Sequence, residues 1–312
     1  MILVTGAAGF VGRALTPRLA SRFQVRAATH TALCERSHTN LTVIHGKALS
    51  PEEDWATALD GVEVVIHCAA RVHVMRESGG DALVAYRRIN AQGTLNLARQ
   101  AVAAGARRFI FLSSIKANGE YTLPDQPFTA EQTPAPSDPY GVSKMDAESG
   151  LRALALDSGL EVVIVRPPLV YGPGVKANFL TLARWLARGW PLPLGALTRN
   201  RRSLVALDNL IDLLVTCIDH PAAANRTFLV SDGEDLSTAD LLKRLGLALG
   251  RPARLISVPV GWLDAAAGVL GRADDMRRLC QSLQVDMRQT QTTLGWVPPL
   301  SVDEGLRRVG LP

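Results

Sequence analysis

Met1-Ile-Leu-Val-Thr-Gly-Ala-Ala-Gly-Phe-Val-Gly12 is the stretch that decides the fold. An apolar run of strand length gives way to glycines at positions 6, 9 and 12, and an amphipathic stretch follows from Phe10 to Ser21. That pattern predicts strand, tight turn and helix. Glycine lets a backbone come close to a pyrophosphate and lets a helix pack tightly on a strand, while amides at the helix start attract phosphate charge. Gly6, Ala8, Gly9, Phe10, Val11 and Gly12 are therefore the candidate contacts of a dinucleotide cofactor.

Working outward, apolar runs alternate with helix-length amphipathic stretches. Gln24 to Ala28, Leu41 to His45, Val62 to His67, Arg108 to Leu112 and Glu161 to Val165 read as further strands. The alternation predicts an α/β fold with a doubly wound parallel sheet of Rossmann type. Such sheets bind ligands beyond the carboxyl ends of their strands, where Gly6, Ala69, Ser114 and Pro167 fall. After about Tyr171, prolines 173, 191 and 193 interrupt the regular pattern. Residues 1–170 are expected to form the cofactor-binding domain, and 171–312 a smaller substrate-binding region interleaved with it. Asp208 is expected to cap a helix from Asn209 to Asp219.

Tyr140 and Lys144, in Pro-Tyr-Gly-Val-Ser-Lys, stand one helical turn apart. A phenol with an ordinary pKa near ~10 is a poor base at neutral pH, and a lysine on the same helix face favours its ionised form. The pair suits proton exchange at an oxygen whose carbon gains or loses hydride. Ser113 and Ser114 end an apolar strand and offer a hydroxyl to that oxygen.

The 312 residues are 47% hydrophobic, enough for a large core, with a net charge of +5. Arginines are spread through the chain, so the charge suits an anionic substrate and cofactor and does not indicate a nucleic-acid surface. No apolar run has the length of a bilayer span. With the first strand at the N-terminus and four cysteines lacking disulfide or metal spacing, a cytoplasmic protein with reduced thiols is expected. The histidines form no pair at ligand spacing, so no metal site is predicted.

These residues resemble the extended short-chain dehydrogenase/reductases, in particular the nucleotide-sugar epimerases, dehydratases and 4-ketoreductases. Besides the two motifs, the likeness is carried by His67-Cys-Ala-Ala70, Asn90-Ala-Gln-Gly-Thr94, Phe111-Leu-Ser-Ser114, Arg166-Pro-Pro-Leu-Val-Tyr-Gly-Pro173 and Leu294-Gly-Trp-Val-Pro298. The resemblance implies that Tyr140 is the catalytic acid/base and that Lys144 is its partner, also holding the nicotinamide ribose. Ser114, in preference to Ser113, contacts the reacting oxygen. It adds Ala69, Ala70, Asn90 and Pro167 to the cofactor contacts. Arg71 and His73, in a loop that faces the substrate in the family, and Asn178 and Arg202, placed to hold the diphosphate, which a guanidinium fork suits, become substrate-binding candidates. It also implies a homodimer, with the helix from Asp138 to Asp157 as the expected contact.

Cofactor choice turns on the end of the second strand, Val25-Arg-Ala-Ala-Thr-His30, where related enzymes place an acidic residue against the adenosine ribose. None stands there. His30, helped by Arg13, Arg26 or Arg36, favours NADP over NAD. Ser114 is followed by Ile115-Lys-Ala-Asn118, without the acidic pair a dehydratase needs. The resemblance therefore implies reduction of a UDP-4-keto-6-deoxy-N-acetylhexosamine in bacterial surface-polysaccharide synthesis. The alternatives are a UDP-glucose or UDP-N-acetylglucosamine 4-epimerase with retained NAD, a reductase of a non-sugar alcohol or ketone, and a cofactor sensor without catalysis.

Overall fold

The computed structural model describes residues 1–30, 38–72, 80–175, 177–269 and 271–310. Its principal layer is a seven-stranded parallel sheet. In chain order, β1 (Ile2–Thr5), α1 (Phe10–Ala20), β2 (Val25–Thr29), β3 (Leu41–His45), α2 (Ala56–Leu59) and β4 (Val64–His67) make the first half. They are followed by α3 (Gly80–Tyr86), α4 (Thr94–Ala103), β5 (Arg108–Leu112), α5 (Pro139–Ser158) and β6 (Glu161–Arg166). The strands predicted from sequence are found within two residues at either end.

Side chains alternate across each strand, and the central strands β1, β4, β5 and β6 are covered on both faces and are largely apolar. Ile2, Val4, Ile66, Ile110, Val163 and Val165 enter the core under α1. Leu3, Val65, Phe109, Phe111, Val162 and Ile164 enter the opposite core, closed by Trp55, Leu97, Ala101 and Leu151.

The second half supplies β7 (Leu169–Tyr171), α6 (Ala177–Ala187), β8 (Arg202–Ala206), α7 (Leu207–Asp219), β9 (Arg226–Leu229) and β10 (Asp235–Leu236). Strand β9 returns to pair with β6 as the last strand of the large sheet, whose order is β3-β2-β1-β4-β5-β6-β9. The rest of this half builds a small sheet, β10-β8-β7, beside α8 (Thr238–Ala248), α9 (Val260–Val269), α10 (Ala273–Cys280), α11 (Arg288–Leu294) and α12 (Val302–Arg307). A third core, with Tyr171, Phe179, Leu186, Leu204, Leu242 and Leu306, lies here. Among the described residues no helix is long and apolar enough to cross a membrane.

One expectation is corrected. Asp208 does not cap α7: the helix begins at Leu207 with Ala206 as its N-cap residue. The buried carboxylate of Asp232 accepts from the Ala206 amide at 2.8 Å and from Asn209 at 2.7 Å. Asp208 sits in the first helical turn and pairs with Arg308 at 3.0 Å.

Candidate active site

The glycine turn carries β1 into α1 where no side chain intervenes. Gly6 has φ +67°, and a Cβ there would lie 2.6 Å from the Ala69 amide nitrogen. Gly12 packs against the Gly6 carbonyl so closely that a Cβ would collide with it. The backbones after β1 and β4 are thus pressed together, and Ala69 forms part of the same floor as Gly6. Gly9 is the N-cap residue of α1 with no side-chain cap, and the first turn has no acidic residue. An uncapped, uncharged helix start walled by glycine fits a pyrophosphate.

His67, at the end of β4, is fully buried between hydroxyls. Its Nδ1 is 2.6 Å from Thr5 Oγ1 and its Nε2 is 2.9 Å from Thr94 Oγ1. Thr94 gives its own proton to the Asn90 carbonyl at 2.6 Å, so Nε2–H donates to Thr94 and Nδ1 accepts from Thr5. Burial, and secondarily the Lys144 charge, pull its pKa down to about 3. His67 is therefore a neutral strut that ties β1 and β4 to a π-helical turn, Arg87–Gly93. Within that turn Asn90 accepts from the Arg71 amide at 2.7 Å and donates to the Arg71 carbonyl and to Ser143, each at 3.0 Å. The structure thus spends the Asn90 side chain on fixing the loop after Ala70 to α5.

Ser113 and Ser114 separate cleanly. Ser113 is buried and donates to Glu148 at 2.5 Å, whereas Ser114 is half-buried and caps a 3₁₀ turn, Ile115–Ala117. Helix α5 begins at the Asp138 N-cap, whose carboxylate accepts from the Gly141 amide at 2.6 Å and pairs with Lys116. A Cβ on Gly141 would lie 2.6 Å from the Lys116 carbonyl oxygen, so the start of α5 touches the turn that bears Ser114.

Tyr140 and Lys144 lie on the face so positioned. The Lys144 ammonium donates to the Leu112 carbonyl at 2.9 Å, 5.9 Å from the centre of the Tyr140 ring. Burial lowers its pKa to about 8. Burial and the Asp138 charge raise the Tyr140 pKa, and a hydrogen bond with Ser114 opposes them. In this state Tyr140 is a phenol, a proton donor bonded to the neighbouring hydroxyl.

Three features of the site escaped sequence reasoning. Glu148, eight residues after Tyr140, is bound by Arg166 through two hydrogen bonds at 2.9 and 2.5 Å. Arg166 also donates to Asn118 at 2.8 Å, so α5, β6 and the loop after Ser114 are locked together inside the protein. Its signal was present, because Glu148 repeats the helical spacing of Tyr140 and Lys144. Tyr86, the second, meets Tyr140 edge-on at 6.1 Å and carries the Arg71 guanidinium 5.8 Å over its ring. The third, Lys116–Asp138, had no sequence signal beyond opposite charge.

Other candidates fall elsewhere. Arg202 donates to the carbonyls of Arg278 and Gln281 at the end of α10, and burial lowers its pKa. Arg26 is corrected as a phosphate helper: it donates to the carbonyls of Thr57, Ala58 and Asp60 at the end of α2. Arg13 and His30 are exposed, His30 directly after β2. Asn178 lies in the first turn of α6. Ala70 follows Ala69 in the chain, and Pro167 follows β6, its carbonyl accepting from the Ile115 amide at 3.0 Å. His73 and Arg36 lie outside the described residues. Among the described residues no cluster suited to a metal is found.

The model of the NAD dependent epimerase/dehydratase family matches residues 2–231. A UDP-glucose 4-epimerase of Vibrio cholerae is 47% identical over 309 residues, covering 98% of this chain and 93% of the relative. Among solved structures, MoeE5 in complex with UDP-glucose and NAD is 26% identical with a TM-score of 0.76, covering 99% of this chain and 96% of that one. A UDP-glucose 4-epimerase with UDP-glucose from Thermotoga maritima has a TM-score of 0.77 at 23% identity, covering 99% and 96%.

Proposed function

The chain belongs to the NAD dependent epimerase/dehydratase family, and from that premise we propose that it reduces the 4-keto carbon of a UDP-sugar with NADPH. The favoured substrate is a UDP-4-keto-6-deoxy-N-acetylhexosamine, made and used in surface-polysaccharide synthesis; a cytoplasmic homodimer belongs to the same reading. When bound, the nicotinamide supplies the hydride. Gly6, Gly9, Gly12 and Ala69 hold the dinucleotide by backbone approach, and Lys144 holds its ribose. Tyr140 gives its proton to the oxygen formed at C4, and Ser114 donates a hydrogen bond to the same oxygen. Lys144 then stabilises the phenolate left on Tyr140 until solvent restores the proton. Asn178 and Arg202 remain the candidates for the diphosphate, and Arg71 and His73 for the sugar.

The observation that supports net reduction is His30, exposed at the end of β2 where a carboxylate would exclude a ribose phosphate. Epimerisation at C4 with retained NAD is the second reading, favoured by the Vibrio cholerae relative. Both use Ser114, Tyr140 and Lys144. The deciding experiment follows absorbance at 340 nm with UDP-4-keto-6-deoxy-N-acetylglucosamine and NADPH or NADH, beside NMR of UDP-N-acetylglucosamine and UDP-glucose without added cofactor. Stoichiometric loss of NADPH supports reduction. Conversion of either glucose-type sugar to its galactose-type epimer establishes the second reading, and failure of both assays sends the search to non-sugar ketones.

A further inference from the structure

Helix α9 is inside out. Its buried side is narrow, with Ala267 buried and Leu263 half-buried against the core shared with α10. The side facing water carries Gly261, Trp262, Ala265, Ala266 and Val269, with Trp262 74% and Val269 89% exposed. Asp264 is the one charged residue of the helix. A surface helix ordinarily turns polar residues outward, and a contiguous outward apolar face marks a binding surface.

The apolar strip continues along the chain. Ile256, four residues before α9, is 53% exposed. Its backbone pairs with Leu192 and Gly195, and the Leu192 amide donates to the Arg254 carbonyl at 2.8 Å. Two residues before Leu192 stands Trp190, 51% exposed, with the Arg188 guanidinium 5.2 Å over its ring. Arg188, Arg251 and Arg254 are exposed on these segments, and Arg251 lies beside Gly189. An exposed Trp190 flanked by Arg188, with the exposed Trp262 on α9, matches a bilayer interface, where indole rings sit at headgroup depth and cations meet anionic lipid.

We infer that this surface, α9 with the Trp190 and Ile256 segments, docks the protein on an anionic membrane. Charge complementarity points to the occupant: the exposed Arg188, Arg251 and Arg254 all pair with an anionic bilayer, and Asp264 is the one acidic residue of α9. The inference is independent of the substrate reading, since none of these residues is assigned to cofactor or sugar.

The test is co-sedimentation of the full chain with phosphatidylglycerol vesicles and with phosphatidylcholine vesicles, alongside tryptophan fluorescence. Binding to phosphatidylglycerol alone is expected, weakened by salt, with a blue shift of emission. Trp262→Ser, at an exposed position, should weaken it by roughly ten-fold while leaving activity in solution unchanged. The pair Arg251→Ala and Arg254→Ala should weaken it without altering the apolar face. Absence of binding, equal binding to both lipids, or binding indifferent to Trp262→Ser overturns the proposal. So does sedimentation velocity showing a lipid-free dimer that Trp262→Ser dissociates, which would give the face to a second copy.

Discussion

The Lys144 ammonium rests on the Leu112 carbonyl oxygen, 2.9 Å away, so the cation on α5 is held by the last residue of β5. Ser113 and Ser114 follow directly after that strand. Tyr140, Lys144 and Ser114 are thus fixed by one strand end and one helix. Rigid elements hold such groups more closely than loops do.

Tyr140→Phe removes the proton donor and leaves the glycine turn untouched. Turnover is expected to fall by ~100-fold or more, with dinucleotide affinity nearly unchanged. Kinetics read beside fluorescence titration of the cofactor check this, and full turnover in the variant would remove Tyr140 from the chemistry.

Burial brings Lys144 down to about pKa 8, so its ammonium is lost across the mildly alkaline range in the cofactor-free protein. Dinucleotide affinity is expected to weaken as pH rises through about 8. The same titration on Lys144→Met should show lower affinity and no such inflection; an identical pH profile in the variant would refute the assignment.

Glu148 and Arg166 are each almost wholly buried and answer one another's charge. Removing one partner strands the other, so Glu148→Ala is expected to cost about 3–5 kcal/mol in denaturant unfolding. Glu148→Leu combined with Arg166→Met should recover much of that loss. A single substitution as mild as an ordinary surface change would show that water satisfies the network.

His67 is neutral in the folded protein, with a pKa of about 3, and rises to about 6.5 on unfolding. Between those values the unfolded chain binds the extra proton, so stability falls as pH drops through the window, by up to about 1.4 kcal/mol per unit. Thermal unfolding from pH 7 to pH 4 should show a shallower decline in His67→Gln than in the parent. Parallel declines would mean that other groups carry the acid sensitivity.

The apolar runs and the glycines at 6, 9 and 12 were enough to place the strands, the first turn and the parallel sheet, because period, turn chemistry and backbone approach are local properties. Tyr140 and Lys144 were legible for the same reason, being one helical turn apart on α5. Choosing between Ser113 and Ser114 rested on resemblance until Glu148, 35 residues away, was seen to take Ser113. Arg26 looked available as a cation and is consumed by the end of α2, more than thirty residues on. Asp208 had the composition of a cap, yet Asp232 answers the Ala206 amide from another segment. Sequence by itself determined the first six strands of the large sheet, their order and the turn after the first, and it picked out candidate residues for the chemistry. Only the tertiary structure decided which polar groups are spent on one another, because a buried donor or acceptor must find its partner in space, wherever that partner stands in the chain.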